Sequence, residues 1–324
     1  MPKELTHFKI AERTATRLGD TRFSAALSRC PQGLLLGSIL PDVAFYGVLP
    51  KCRPIRSLGN TIHGSDSNDT LALVRAQAHH AQAMADKELP SALLVGLISH
   101  ILADAVFHPM VWYFTGDYHA SDKALASKAQ QRHRAFESLM DMALCPEMIG
   151  QKRYSMREHL RQCPDLFATG IPTRALATMT GTASQQMTDS LRTAWKTFAI
   201  MQQASAIRPL STALFALLPI LPDSIREIAT LFYAPQLMRQ SSIVTGQLSF
   251  LHPKTGKKNC MTAEEMMNEA ADRASSLCRR LESAIFDGEP VTLPETGPSM
   301  DADFSGNPAP PNAYFADPPL PLLK

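Results

Sequence analysis

Several features that would place a sequence quickly are missing from this one. Its six cysteines, Cys30, Cys52, Cys145, Cys163, Cys260 and Cys278, are scattered and form no C-x-x-C pair. That scatter suits buried reduced thiols better than a disulfide framework. No run approaches the roughly 18 apolar residues that span a bilayer. The nearest stretch, Ala213 to Leu221, is interrupted by Pro219 and reads as part of a core helix. The opening MPKELTHFKI lacks the apolar core of a secretory signal. A cytoplasmic location is therefore expected, with any membrane contact peripheral. Lys plus Arg total 32 against 30 for Asp plus Glu, and no long basic run exists. Nucleic-acid binding through a broad charged face is accordingly not expected. Strand patterns are nearly absent and no repeat is found, so the expected fold is all-α.

What is present is long enough, at 324 residues, for one large domain or two ordinary ones with a substantial core. Residues 1–288 read as a helical domain. Residues 289–324 carry nine prolines and little periodicity, so an extended or disordered tail is expected there.

The chain is organised around residues 90–108, PSALLVGLISHILADAVFH. Pro90 suits a first helical turn, and Leu93, Leu94, Leu97, Ile98 and Leu102 recur as in a buried helix. His100, Asp104 and His108 stand four residues apart in that apolar setting. Each step of four advances about 40° around a helix, so the three share one face. Buried imidazoles and a carboxylate must be paired, hydrogen-bonded or bound to metal, because an unpaired buried charge is very costly. One buried histidine is ordinarily satisfied by neighbours. Three ligand-type residues in register point to metal.

Around this centre, Leu5 to Leu18 reads as a helix with Thr6 as N-cap, and Phe45 to Asn60 as a loop rich in turn residues. Asp69 to Asp86 reads as a helix on which His79 and His80 lie on a solvated face. Pro109 to Tyr118 reads as an aromatic loop, and Ser121 as the cap of a helix to about Leu144. That helix holds His133 and Glu137 at i and i+4, a spacing common on exposed helices. Thr262 and Glu265 form a capping box opening a last helix to about Phe286. The candidate ligands in order are His7, Asp42, His63, His100, Asp104, His108, His133 and Glu137. Nitrogen and carboxylate donors without thiolate suit catalytic zinc, with manganese or iron left open.

Six short pieces carry a family resemblance. They are Thr6–His7 before FKIAERT, Leu40–Pro41–Asp42, His63–Gly64, Ser99–His100 through Ala103–Asp104, Phe107–His108–Pro109, and Arg132–His133 through Glu137. In this order and spacing the chain resembles the zinc-dependent phospholipases C of bacteria and the catalytic domain of glycosylphosphatidylinositol-specific phospholipase D. The resemblance covers roughly residues 1–145. It implies an all-α fold, shared with single-strand nucleases, that holds two or three zinc ions in a cleft between helices. It further implies that Asp42, His63, His100 and Asp104 hold one zinc, and His108, His133 and Glu137 a second. Asp104 would bridge to a third, completed by His7 and the chain's own amino terminus, here Pro2 after loss of Met1.

The resemblance implies a phosphodiester hydrolase, with Asp42 shared between metal and the attacking water. The favoured substrate is a phospholipid, split in the manner of a phospholipase C. Phe45, Tyr46, Trp112 and Tyr113 are the candidate substrate contacts, able to pack on acyl chains or stack on a base. A single-strand nuclease and a non-catalytic metal-binding module are the alternatives.

Overall fold

The computed structural model describes residues 3–63, 69–294, 296–304 and 310–323. Pro2 and Gly64 lie outside the described residues. The chain opens with α1 (Glu4–Arg17), α2 (Phe23–Arg29), α3 (Pro31–Gly37), α4 (Leu40–Val43), α5 (Arg53–Ile62) and α6 (Ala72–Ala83). The central pair follows, α7 (Glu88–Thr115) and α8 (Lys123–Leu144). Then come α9 (Met156–Gln162), α10 (Thr173–Thr180), α11 (Ser184–Ser205), α12 (Arg208–Leu217), α13 (Asp223–Ala229) and α14 (Ser242–Thr245). A hairpin of β1 (Gln247–Leu251) and β2 (Lys258–Thr262) precedes α15 (Ala263–Asp287). Among the described residues the fold is all-α apart from that antiparallel hairpin, in which Ser249 faces Cys260 and Leu248 and Phe250 point inward.

Helix α7 is the axis of the molecule. Every residue from Pro90 to Trp112 is buried, and α1, α2, α3, α6, α8 and α15 all pack against it. A helix wrapped on all sides is apolar on all sides. That is why α7, rather than Ala213 to Leu221, is long and apolar enough to cross a membrane by composition, although its apolar window is 94% buried. The expected aromatic loop at Pro109 to Tyr118 does not form, since α7 runs through Pro109 to Thr115. An interior proline costs about 3 kcal/mol or more through the lost hydrogen bond and ring clash. Burial of Met110, Val111 and Trp112 outweighs that cost.

Where α3 crosses α7, the backbones nearly touch. A Cβ on Gly37 would run into the Leu93 carbonyl, and one on Gly96 into the Leu34 carbonyl. Two glycines facing one another permit that approach, which brings the Ser38 carbonyl against α7. The apolar core also divides along α7. Side chains up to Leu102 belong to one cluster, and those from Ala103 onward belong to a second. The row of His100, Asp104 and His108 straddles that seam.

Other expectations need correction. Phe45 to Asn60 is not a loop throughout, because Arg53–Ile62 is helical, with Pro54 in its first turn where a proline is tolerated. Asp122 rather than Ser121 caps α8, accepting from the amides of Ala124 and Leu125. The helix carrying His79 and His80 is shorter than expected, and His80 Nε2 meets the Thr169 carbonyl at 2.7 Å. Only Ser211 is buried on α12, while Leu210, Leu217 and Ile220 are exposed, so this is no core helix. The capping box at Thr262 and Glu265 is formed, and α15 ends at Gly288 in the left-handed conformation.

Described parts of the C-terminal tail are extended and docked. Met300, Ala302 and Leu322 are buried, and Arg273 grips Asp303 with two hydrogen bonds of 2.7 and 2.6 Å. Proline-rich composition removed helix and strand here without removing the apolar side chains that anchor the segment.

Candidate metal centre

Each candidate ligand is delivered by a different local device. Helix α1 begins at Glu4, so Thr6 lies inside the first turn and is not the cap. The unpaired first-turn amides of Leu5 and Thr6 donate instead to the Asp141 carboxylate of α8, at 2.9 and 2.8 Å. The Thr6 hydroxyl and the Tyr233 hydroxyl donate to the same carboxylate. This clamp fixes the start of α1 and hence His7. The short α4 presents Asp42, and His63 closes α5, its ring Nδ1 2.7 Å from the Gly59 carbonyl. The α3–α7 crossing sets the Ser38 carbonyl 2.8 Å from His100 Nδ1.

These side chains converge in two groups. In the first, Asp104 lies between imidazoles, with Oδ1 3.4 Å from His7 Nε2 and Oδ2 3.3 Å from His100 Nε2. His63 Nε2 is 4.0 Å from Asp104 Oδ2 and 3.4 Å from Asp42 Oδ1, and His100 Nε2 is 3.7 Å from Asp42 Oδ1. The His7 and His100 rings stack at 4.1 Å. In the second group His108, His133 and Glu137 bring their donor atoms within 4.8 Å of one another, with His133 Nε2 2.9 Å from Glu137 Oε1.

The donor atoms fit a metal. Both ring nitrogens of His7, Asp42 Oδ1, His100 Nε2, both oxygens of Asp104 and His108 Nε2 are buried without a hydrogen-bond partner. Each such atom costs about 1–3 kcal/mol, and more when charged. Donors at 2.0–2.1 Å from a tetrahedral zinc are about 3.3 Å apart, close to the shorter separations in the first group. Ring Nδ1 atoms of His63, His100 and His108 face backbone carbonyls. A carbonyl only accepts, so Nδ1 keeps the proton and Nε2 offers the lone pair, as ligating histidines require.

Electrostatics favour these forms at most of the ligands. Burial pushes the imidazoles of His7, His108 and His133 below their ordinary range, favouring neutral rings, whereas at His100 burial is outweighed by the Asp104 and Asp42 carboxylates, which raise it. Burial acts to raise Asp104, but the imidazoles of His100 and His108 outweigh it and hold the carboxyl well below its usual range. Neutral imidazole and ionised carboxylate are the ligating forms.

The four proposed substrate contacts separate. The Phe45 ring lies 4.8 Å from that of His63, beside the first group. Trp112 lies 5.8 Å from His133, beside the second, but it is wholly buried and has no surface to stack on a base. Tyr46 packs on Phe198 at 4.7 Å, and Tyr113 on Phe114 at 5.2 Å, with the Tyr113 carbonyl bound to Ala316. Sequence reasoning overlooked Tyr118, stacked on Trp112 at 4.1 Å and 5.2 Å from His133. It also overlooked Asp141, although His133, Glu137 and Asp141 repeat the four-residue step of His100, Asp104 and His108. Asp301, 3.9 Å from His108, had no signal of that kind.

A family model described as zinc dependent phospholipase C matches residues 6–184. No curated protein and no solved structure matches the chain.

Proposed function

This chain belongs to the zinc-dependent phospholipase C family, and from that premise we propose that it hydrolyses the headgroup phosphodiester of a phospholipid at the two histidine–carboxylate groups. The observation that carries the reading is the convergence of buried, unpartnered donor atoms from α1, α4 and α7 on Asp104. His7, Asp42, His63, His100 and Asp104 would hold metal in the first group, and His108, His133 and Glu137 in the second. Bound zinc supplies Lewis acidity, acidifies water and stabilises charge on the phosphoryl oxygens.

The remaining chemistry falls to the chain's own side chains. Asp42 is the first-group carboxylate nearest solvent, its side chain 11% exposed while that of Asp104 is wholly buried. It orients the attacking water and accepts its proton. The water oxygen bonds to phosphorus, the ester bond to the glycerol oxygen breaks, and that oxygen leaves as a hydroxyl after taking up the proton that Asp42 removed from the water. The Ser38, Gly59 and Met300 carbonyls hold the imidazoles in one tautomer throughout.

Two further features support lipid over single-stranded nucleic acid. Trp112 is sealed in the core, removing one candidate platform for a base. Ile207, Leu210, Leu217 and Ile220 stand exposed along α12 and the turn after it, with exposed Arg208 beside them. Apolar surface of that kind, edged by a cation, suits peripheral contact with a phospholipid layer. Six free thiols support a reducing compartment such as the cytoplasm.

The test is metal analysis of the purified protein together with phospholipase C assay before chelation, after chelation and after zinc is restored. At least two zinc ions per chain and activity that follows them are expected. Trace metal after gentle purification, or zinc without turnover of any phosphodiester, overturns the reading.

A further inference from the structure

The second metal group is closed by a part of the chain far from the segment that carries its ligands. His108 Nδ1 lies 2.5 Å from the carbonyl oxygen of Met300, 192 residues away and outside residues 6–184. The corresponding acceptor for His63 is Gly59 on its own helix, and for His100 it is Ser38 at the α3–α7 crossing. Only for His108 among these three does the acceptor come from the C-terminal segment.

That segment is held in place on both sides of Met300. The Arg75 guanidinium donates to the Pro294 carbonyl at 2.9 Å, and the Gly297 amide donates to Asp69 at 2.9 Å. The Thr70 hydroxyl donates to the Pro298 carbonyl at 2.9 Å. Beyond Met300, Arg273 holds Asp303 through both terminal guanidinium nitrogens. Met300 and Ala302 are completely buried. Gly297 fits only because it lacks a side chain, since a Cβ there would collide with Thr70 and Leu71.

We propose that residues 296–304 form a strap that is an integral part of the second metal group, with the Met300 carbonyl positioning His108 for a divalent cation. The inference rests on the metal-centre reading above. The carbonyl accepts the Nδ1 proton, leaving the Nε2 lone pair aimed at the space shared with His133 and Glu137. Asp301, beside His108, adds a carboxylate at the edge of the same group. Without the strap the His108 ring loses its fixed tautomer and orientation, and the group loses one ligand in its binding form. The first group takes neither of its carbonyl acceptors from the strap, since those of His100 and His63 are Ser38 and Gly59, and only the charge of Asp301 reaches it.

The experiment uses full-length protein with Gly297→Val, which forces the strap away from Thr70. A second variant combines Arg273→Ala with Thr70→Val, which removes anchors on both sides of Met300. Tyr314→Ala, in a separate part of the tail packed near Gly256, is the control. Zinc per chain is measured after equilibration in zinc buffers, alongside melting temperature and the absorption spectrum of the cobalt-substituted protein. Both strap variants should weaken one zinc by about 10- to 100-fold, as loss of an outer partner to a ligating histidine does, and leave the others unchanged. The cobalt spectrum should lose one component, and the control should match the wild type. Should one variant fail to fold, the other decides. A folded strap variant with full zinc content at unchanged affinity overturns the proposal. So does uniform weakening of every zinc, which would mark the strap as general packing. A wild-type protein that binds no zinc would instead sink the metal-centre reading itself.

Discussion

Asp104→Asn is the most discriminating single change, because both carboxylate oxygens are buried and face histidines from different helices. Asparagine keeps the shape and removes the charge. Unit charges 4 Å apart attract by about 4 kcal/mol at an effective dielectric of 20. Losing one such contact weakens metal binding by roughly 1,000-fold. A site with free zinc at 1,000 times its dissociation constant stabilises the fold by about 4 kcal/mol. For a chain of this size that corresponds to about 6 °C in melting temperature. The assay is thermal unfolding with zinc and with chelator, for wild type, Asp104→Asn and His133→Asn. The gap between the two conditions should shrink most in Asp104→Asn, which touches His7 and His100 together, and less in His133→Asn, which touches only the second group. Equal gaps in the two variants, or a wild-type gap in Asp104→Asn, would refute a shared role for Asp104.

Gly96→Ala should cost about 1–3 kcal/mol in chemical denaturation, the usual range for overpacking, because α3 must retreat from α7. It should also weaken first-group zinc, as the Ser38 carbonyl withdraws from His100, and unchanged stability would contradict the close crossing. Four donors favour ionised Asp141, but burial and the nearby Glu4 carboxylate dominate and push its pKa up to about 6 from an ordinary 3.8. A raised folded value gives stability that is complete below the ordinary pKa and is lost as pH rises through about 6. The stability of zinc-free wild type relative to Asp141→Asn should therefore fall by about 2 kcal/mol from pH 4 to pH 7. A difference that is flat or grows with pH would reverse the sign. Leu217→Glu with Ile220→Glu should reduce cosedimentation with phospholipid vesicles and leave hydrolysis of a soluble short-chain phospholipid intact. Undiminished vesicle binding would remove α12 from the membrane contact.

How much was legible in the sequence depended on the range of the interaction. The row of His100, Asp104 and His108 was visible because helical periodicity alone puts residues four apart on one face. The extent of α7 past Pro109 was not, since local proline chemistry argued for a stop and only burial by distant helices overruled it. Turn residues between Phe45 and Asn60 concealed α5 for the same reason. Apolar composition also misplaced α12, because a pattern of leucines does not say whether a neighbour covers them. Carbonyl acceptors were the least accessible: every residue has one, so neither Ser38 nor Met300 could be singled out before the chain was folded.

The bond between His108 and Met300 also sets an order of events during synthesis. A ribosome adding about 5–20 residues per second needs about 10–40 s to make the 192 residues between them. All eight proposed ligands lie before residue 138 and can begin to fold in that interval. The second group cannot acquire its outer acceptor until residue 300 has been added. A chain cut short anywhere between Glu137 and Met300 would carry every ligand and still lack that acceptor.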